Sequence, residues 1–236
     1  MKIGTEMNNE NIFILGHRGF RGPLENTLPA FRRALKYANG IEFDVRVTKD
    51  GKLVVHHDRA FNAGGKRFRI GNVSLSLLRK LHPLGPLIPK VSEVLSLNAT
   101  LFNADVKEAG AIEPLIKLVE RKKALDKTIF SADKVSISKL LLKECPDCKI
   151  GVSILGLRPI IELLRSRGFY SAHVPIDAIA YIGYRPLATL IRTLRRRGLR
   201  IYLWNYSMDE LFWIPRLIPS VDVIISNDPA KLGKVF

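Results

Sequence analysis

YRPLATLIRTLRRRGLRIYLWNY, residues 184–206, contains the unit from which the rest of the chain is built. Leu187, Leu190, Ile191 and Leu194 recur at helical spacing, so Arg192, Arg195 and Arg196 fall on the opposite, solvated face. Pro186 suits a first helical position, Gly198 suits the helix end, and a short β-rich run follows. LRPIIELLRSRG (157–168) repeats the plan before another such run. The same reading predicts strands near 12–16, 41–45 with 53–57, 101–106, 128–131, 149–154, 170–174, 200–205 and 221–225. Counting 41–57 as one station, these are eight strand stations separated by helices. Strands alternating with helices imply a parallel sheet, and eight units in 236 residues imply a closed barrel. The expected fold is α/β, a single (β/α)8 TIM barrel spanning residues 1–236, with a small excursion after the second strand.

The first helix is marked by Asn26 or Thr27 as its cap, by a buried stripe of Leu28, Phe31, Ala34, Leu35 and Ala38, and by Gly40 as its end. Arg32, Arg33 and Lys36 face away. The excursion is read from KDGK, a favoured hairpin turn, and from AFNAGGKRF and HPLGPLIPK, whose glycines and prolines mark loops.

Hydrophobic residues make up 47% of the chain, enough for a sizeable core. No apolar run approaches the roughly 18 residues of a membrane span, and the opening residues lack a signal peptide's apolar segment and cleavage site. A cytoplasmic location is expected. The net charge of +16 suits nucleic acid, an acidic membrane surface or small anionic substrates. Cys145 and Cys148 are the two cysteines, too few for a zinc site, and read as structural residues at a helix-to-strand turn. Whether they are bonded is open from sequence. The absence of Gln points toward a heat-adapted source.

Chemistry concentrates at the strand ends. In IEFDV (41–45), alternation puts Glu42 and Asp44 on one face and Phe43 and Val45 on the other. With Phe43 under the helices, both carboxylates point to the barrel axis, where they repel each other unless a cation, a base or a shared proton intervenes. In VVHHD (54–58), His57 follows the inward register and His56 the outward one. LFNADVK (101–107) delivers Asn103, Asp105 and Lys107, and GHRG (16–19) delivers His17 and Arg18. Three carboxylates offer hard oxygen ligands for Mg²⁺ or Ca²⁺. Arg18 and Lys107 suit a phosphate, and His17 and His57 suit a general acid and a general base on either side of a phosphorus. Such a set suits a phosphodiester-cleaving site.

At these residues the chain resembles the glycerophosphodiester phosphodiesterase family. The likeness rests on GHRG (16–19), ENT (25–27) with AF (30–31), IEFDV, T-x-DG (48–51) and VVHHD. It continues through IPKVSEVL (88–95), LFNADVK, LWNY (203–206) and IISNDP (224–229). The resemblance implies a TIM-type barrel hydrolysing glycerophosphodiesters to glycerol phosphate and an alcohol with a divalent cation, Mg²⁺, Ca²⁺ or Mn²⁺. It implies His17 and His57 as the catalytic pair and Glu42, Asp44 and Asp105 as metal ligands. Arg18 and Lys107 would contact phosphate, with Glu25 near the site and Trp204 stacking on substrate. Asp105 departs from the family's usual Glu, one methylene shorter, so the ion sits closer to this strand or is reached through water. Residues 59–88 depart from the family's usual segment, which leaves the alcohol-side pocket differently shaped. Two other readings stand beside this one. A lysophospholipase D-type enzyme on the same scaffold would use LFWIPRLI (211–218) as lipid-contacting surface. A non-catalytic basic module would bind nucleic acid or an acidic membrane, though a binder needs no paired carboxylates beside histidines. The expected partner is a small anionic phosphodiester, with no nucleic acid.

Overall fold

Eight parallel strands close on themselves in the computed structural model, which describes residues 12–234. In chain order the strands are β1 (Phe13–Gly16), β2 (Gly40–Val47), β3 (Leu53–Val55), β4 (Ala60–Ala63), β5 (Lys66–Arg69), β6 (Leu101–Val106), β7 (Thr128–Ser131), β8 (Lys149–Ser153), β9 (Ser171–Pro175), β10 (Arg200–Trp204) and β11 (Val223–Ser226). β1, β2 and β6 to β11 form the barrel, and β1 closes it by pairing in parallel with both β2 and β11. This is the (β/α)8 architecture expected from the sequence. The opening segment read for a leader falls largely outside the described residues. No helix among those described is long and apolar enough to cross a membrane.

Strand alternation sorts the core into two layers. Phe43, Phe102, Ala104, Val106 and Phe130 point outward and pack beneath the helices, with Phe31 and Phe102 edge-on to Phe43. Leu15, Leu101, Ile129, Tyr202, Val223 and Ile225 point inward and fill the barrel. A one-residue slip of β2 would exchange these faces and turn Glu42 and Asp44 into the helix layer.

Several element ends differ from the sequence reading. The first helix is Leu28–Ala34, capped by Thr27, and stops before Leu35 and Ala38. Gly40 does not end it. It is the first residue of β2, where a Cβ would lie 1.9 Å from the Leu101 carbonyl oxygen, so close strand approach is what requires glycine. The helices Leu157–Arg165 and Tyr184–Arg196 each begin two residues before the expected proline. Pro159 and Pro186 still sit in the first turn, whose N–H groups lack intrahelical partners, so the missing proton costs nothing.

AFNAGGKRF is a hairpin rather than a loop. β4 and β5 pair across Gly64 and Gly65, whose φ values of 54° and 72° match a turn needing two left-handed residues. The excursion has its own small core of Val54, Phe61, Ile70, Val73, Leu78 and Ile88. Cys145 and Cys148 are joined by a disulfide at the turn between the helix Val135–Glu144 and β8. Arg195 is not simply solvated. With Arg200 it clamps the buried carboxylate of Asp222, at 3.1 and 2.9 Å.

Candidate active site

The carboxyl end of β1 turns sharply through Gly16–Gly19, and Arg18 takes a left-handed conformation (φ 51°) that costs a branched or long side chain steric energy. The turn gives Arg18 two directions at once. Its backbone N–H donates to Glu42 Oε2 at 2.9 Å, while its guanidinium reaches Glu25 Oε1 (2.6 Å) and lies with Nε 3.1 Å from Asp44 Oδ2. Glu25 also pairs with Arg21, so it stands behind Arg18 and holds it, outside the cavity lining.

Glu42 and Asp44 project inward from β2, and Asp105 from β6, in register with Asp44 across the strand pair. One oxygen from each of the three carboxylates lies within 4.8 Å of the others. All three are buried. Lys107 Nζ contacts Asp44 (3.0 Å), Asp105 and Asp133 (2.8 Å), and Asn26 Nδ2 donates to Asp44 Oδ2 at 2.7 Å. Ser131 Oγ donates to Asp105 Oδ1 at 2.9 Å, fixing the shorter side chain in place.

Burial of three acids around two cations divides their proton affinities. Burial raises the Glu42 carboxyl well above the usual range, and the neighbouring Asp44 and Asp105 charges raise it further. For Asp44 burial acts in the same direction, but Lys107 and Arg18 outweigh it and hold the carboxyl below the usual range. Asp105 is raised, by burial first, with Lys107 opposing. Burial pushes against the charge of Lys107, yet Asp105, Asp44 and Asp133 keep its ammonium charged. Glu42 therefore holds a proton more readily than a free carboxyl does, until more positive charge arrives. The donor set is all oxygen and short of cations, which fits a hard divalent ion.

The two imidazoles are held differently. His17 is buried, and its Nδ1–H donates to Asn227 Oδ1 at 2.6 Å, leaving Nε2 with a lone pair 3.9 Å from Glu42 Oε2. Burial, with Arg18 second, lowers its pKa to about 3, so it is neutral at ordinary pH. His57 lies past the end of β3, 40% exposed, with Nδ1 2.8 Å from Asp58 Oδ1. Arg46 donates from Nε and Nη2 to the His57 carbonyl, at 2.9 and 2.6 Å, and so pins this loop. His56 faces away. It donates from Nδ1 to the Asp58 carbonyl and accepts the Nε2–H of His82 at 3.1 Å, a tautomer set by His82 Nδ1 accepting the Leu84 N–H.

Trp204 and Tyr206 wall the cavity opposite the acids, with their rings edge-on at 4.7 Å. Trp204 Nε1 is buried without an acceptor among the described residues. The cavity thus gathers His17, Arg18, Glu42, Asp44, His57, Asp105, Lys107 and Trp204 from the sequence-derived set, and leaves Glu25 outside. Sequence reasoning missed Asn26 as a ligand of Asp44, Asn227 as the partner of His17, and Asp133 and Tyr206 in the wall. The ENT and IISNDP segments contained the first two. Nothing local signals Asp133.

His173 also lines the cavity, buried, with Nε2 3.0 Å from Ser171 Oγ and its ring stacked on Tyr202 at 4.6 Å. Burial lowers its pKa from 6.5 to about 4, against the pull of Asp105. The unfolded chain thus takes up this proton at a higher pH than the folded chain does. Stability is expected to fall as pH drops through the window from 6.5 to 4, by up to about 3 kcal/mol from this group. Denaturant unfolding at the two ends of that window checks it: His173→Gln should reduce the difference, and an unchanged difference would contradict the assignment.

The family model described as the glycerophosphoryl diester phosphodiesterase family matches residues 17–231. A glycerophosphodiester phosphodiesterase of Caldanaerobacter subterraneus subsp. tengcongensis is 29% identical over 241 aligned positions, covering 93% of this chain and 95% of the relative. The crystal structure of a glycerophosphodiester phosphodiesterase from Thermotoga maritima superposes with a TM-score of 0.79 at 28% identity, covering 96% of this chain and 99% of that one. A phosphodiesterase from Oleispira antarctica, solved with sn-glycerol-3-phosphate, shares the fold at a TM-score of 0.75 and 17% identity, over 94% of this chain and 95% of its own. With barrel, strand-end acids and paired imidazoles all in hand, the chain belongs to the glycerophosphoryl diester phosphodiesterase family and is an enzyme of that kind.

Proposed function

We propose that the enzyme hydrolyses a glycerophosphodiester to glycerol phosphate and a free alcohol, with Glu42, Asp44 and Asp105 holding a divalent cation. The observation that carries this reading is the convergence of three buried carboxylate oxygens within 4.8 Å of one another beside His17. When bound, the cation supplies positive charge that neutralises the phosphodiester and polarises its oxygen. Mg²⁺, Ca²⁺ and Mn²⁺ all suit an oxygen donor set.

Arg18 and Lys107 orient the phosphate, since both carry donors into the cavity and both remain charged. His17, neutral and with Nε2 accepting, takes the proton of the attacking hydroxyl, either of water or of the substrate's own glycerol, the latter giving a cyclic phosphate that water then opens to glycerol phosphate. A new bond to phosphorus forms as the bond to the departing alcohol breaks. His57, whose Nδ1 is tied to the Asp58 carboxylate, gives the proton that the departing oxygen needs. Trp204 offers its unpartnered N–H and its ring to the substrate. The glycerol phosphate in the Oleispira antarctica neighbour agrees with such a product.

Release of glycerol phosphate from glycerophosphoethanolamine, measured across Mg²⁺, Ca²⁺ and Mn²⁺, is expected to vanish with excess chelator and to return on adding cation. A full rate in chelator would overturn the metal assignment. A lysophospholipid belongs in the same panel, because Tyr181, Tyr184 and Phe212 leave aromatic surface exposed after β9 and β10. A strong preference for the lipid would make a lysophospholipase D activity the better reading.

A further inference from the structure

Beside the catalytic cavity runs a second, wider groove. It lies among the segments following β3, β6 and β7, is lined by Arg46, Arg59, Glu108 and Lys134, and shares Lys107 and Asp133 with the cavity. Its free volume is ≈ 450 Å³, against ≈ 40 Å³ around the acid cluster. The larger space accommodates a substituent of a substrate whose phosphodiester lies at the acid cluster.

We propose that this groove is a subsite for a second phosphate, carried on the alcohol side of the phosphodiester and recognised by Arg46, Arg59 and Lys134. The inference rests on the phosphodiesterase reading above and names the substrate class within it. Three observations lead there. Arg46 is a buried guanidinium whose Nε and Nη2 are engaged by the His57 carbonyl. Its Nη1 has Glu108 Oε2 at 3.7 Å, beyond hydrogen-bond distance, while the other oxygen of Glu108 accepts the Val47 N–H at 2.8 Å. Arg59 and Lys134 are exposed in the groove and form no ion pair among the described residues. Of the groove's two acids, Glu108 accepts the Val47 N–H and Asp133 is paired with Lys107.

Lone surface cations are ordinary in a chain with this excess of Lys and Arg. These differ in lining one concave surface that shares Lys107 and Asp133 with the catalytic cavity, where low-dielectric walls concentrate their field. Guanidinium groups match phosphate oxygens in pairs, and a phosphate here would find donors from two arginines and a lysine. A choline or ethanolamine head group gains nothing from this surface and is repelled by it. A phosphorylated polyol, or a further glycerol phosphate unit, gains a counter-charge. Because Arg46 also holds the His57 carbonyl, an anion on Arg46 is mechanically joined to the loop bearing the proposed proton donor.

The test compares two substrates that differ by one phosphate, glycerophosphoinositol and glycerophosphoinositol 4-phosphate, with Mg²⁺ in excess. The expected kcat/KM for the phosphorylated substrate is higher by about tenfold or more, as one well-made charge-assisted contact provides. The double variant Arg59→Ala/Lys134→Ala should bring the two substrates to within about twofold, with glycerophosphoinositol turned over as in the wild type. Equal rates in the wild type, or a preference that survives the double variant, would overturn the subsite while leaving the phosphodiesterase reading standing. Failure to cleave either substrate, or glycerophosphoethanolamine, would overturn both.

Discussion

Glu42→Gln is expected to leave the barrel folded, with an unfolding midpoint equal to or above that of the wild type, and yet to lose on the order of a thousandfold in phosphodiesterase rate. The two effects separate because of the acid cluster's electrostatics. Without a divalent ion, burial and the charges of Asp44 and Asp105 already favour the protonated form of the Glu42 carboxyl. A neutral amide of the same shape accepts the Arg18 N–H as the acid does, so folding loses little. An amide cannot become the anion that the proposed cation requires. Asp44→Asn should behave differently. Asp44 is the charged member and faces Arg18 at 3.1 Å and Lys107 at 3.0 Å, so neutralising it leaves buried cations uncompensated. That change is expected to cost about 3 kcal/mol or more of stability in addition to activity. Thermal unfolding beside initial rates checks the contrast. A Glu42→Gln enzyme with near-normal rate, or one that unfolds, would count against it.

The second large effect separates the histidines. Both His17→Ala and His57→Ala are expected to lose roughly 10²- to 10⁴-fold on substrates with an alkyl alcohol as leaving group. They should part on a glycerophosphodiester whose leaving group is p-nitrophenolate, which departs without a proton. There His57→Ala is expected to recover most of the loss, because the proton it gives is no longer needed, whereas His17→Ala is expected to stay slow. The assignment comes from the hydrogen bonds at each Nδ1. Asn227 leaves His17 with an accepting Nε2, and the Asp58 carboxylate accepts the Nδ1–H of His57 at 2.8 Å, orienting its ring toward the departing oxygen. Rescue of His17→Ala instead would exchange the two roles.

Much of this is legible in the sequence, for a physical reason. Period-two alternation on strands is a local property, so Glu42, Asp44, Asp105 and Lys107 declared their inward direction from five or six residues each. The helix stripes did the same for the outer layer. Element ends were harder, because they depend on neighbours distant in the chain. Gly40 reads as a helix stop until the Leu101 carbonyl is seen against it, and Gly64–Gly65 reads as a loop until both take left-handed turns. The supporting residues were hardest of all. Asn227 reaches His17 across 210 positions and Asp133 reaches Lys107 across 26, and neither contact leaves a trace in local spacing. Glu25 resembles a site residue in the ENT segment, but its carboxylate is occupied by Arg18 and Arg21.

The most direct test is Mn²⁺ binding followed by calorimetry on purified protein, with the Mn²⁺ position then taken from anomalous scattering in crystals. The expected result is one ion per chain at the carboxylates of Glu42, Asp44 and Asp105, with Glu42→Gln weakening the binding at least about tenfold. An ion seated elsewhere, or binding that ignores the loss of the Glu42 charge, would contradict the central claim.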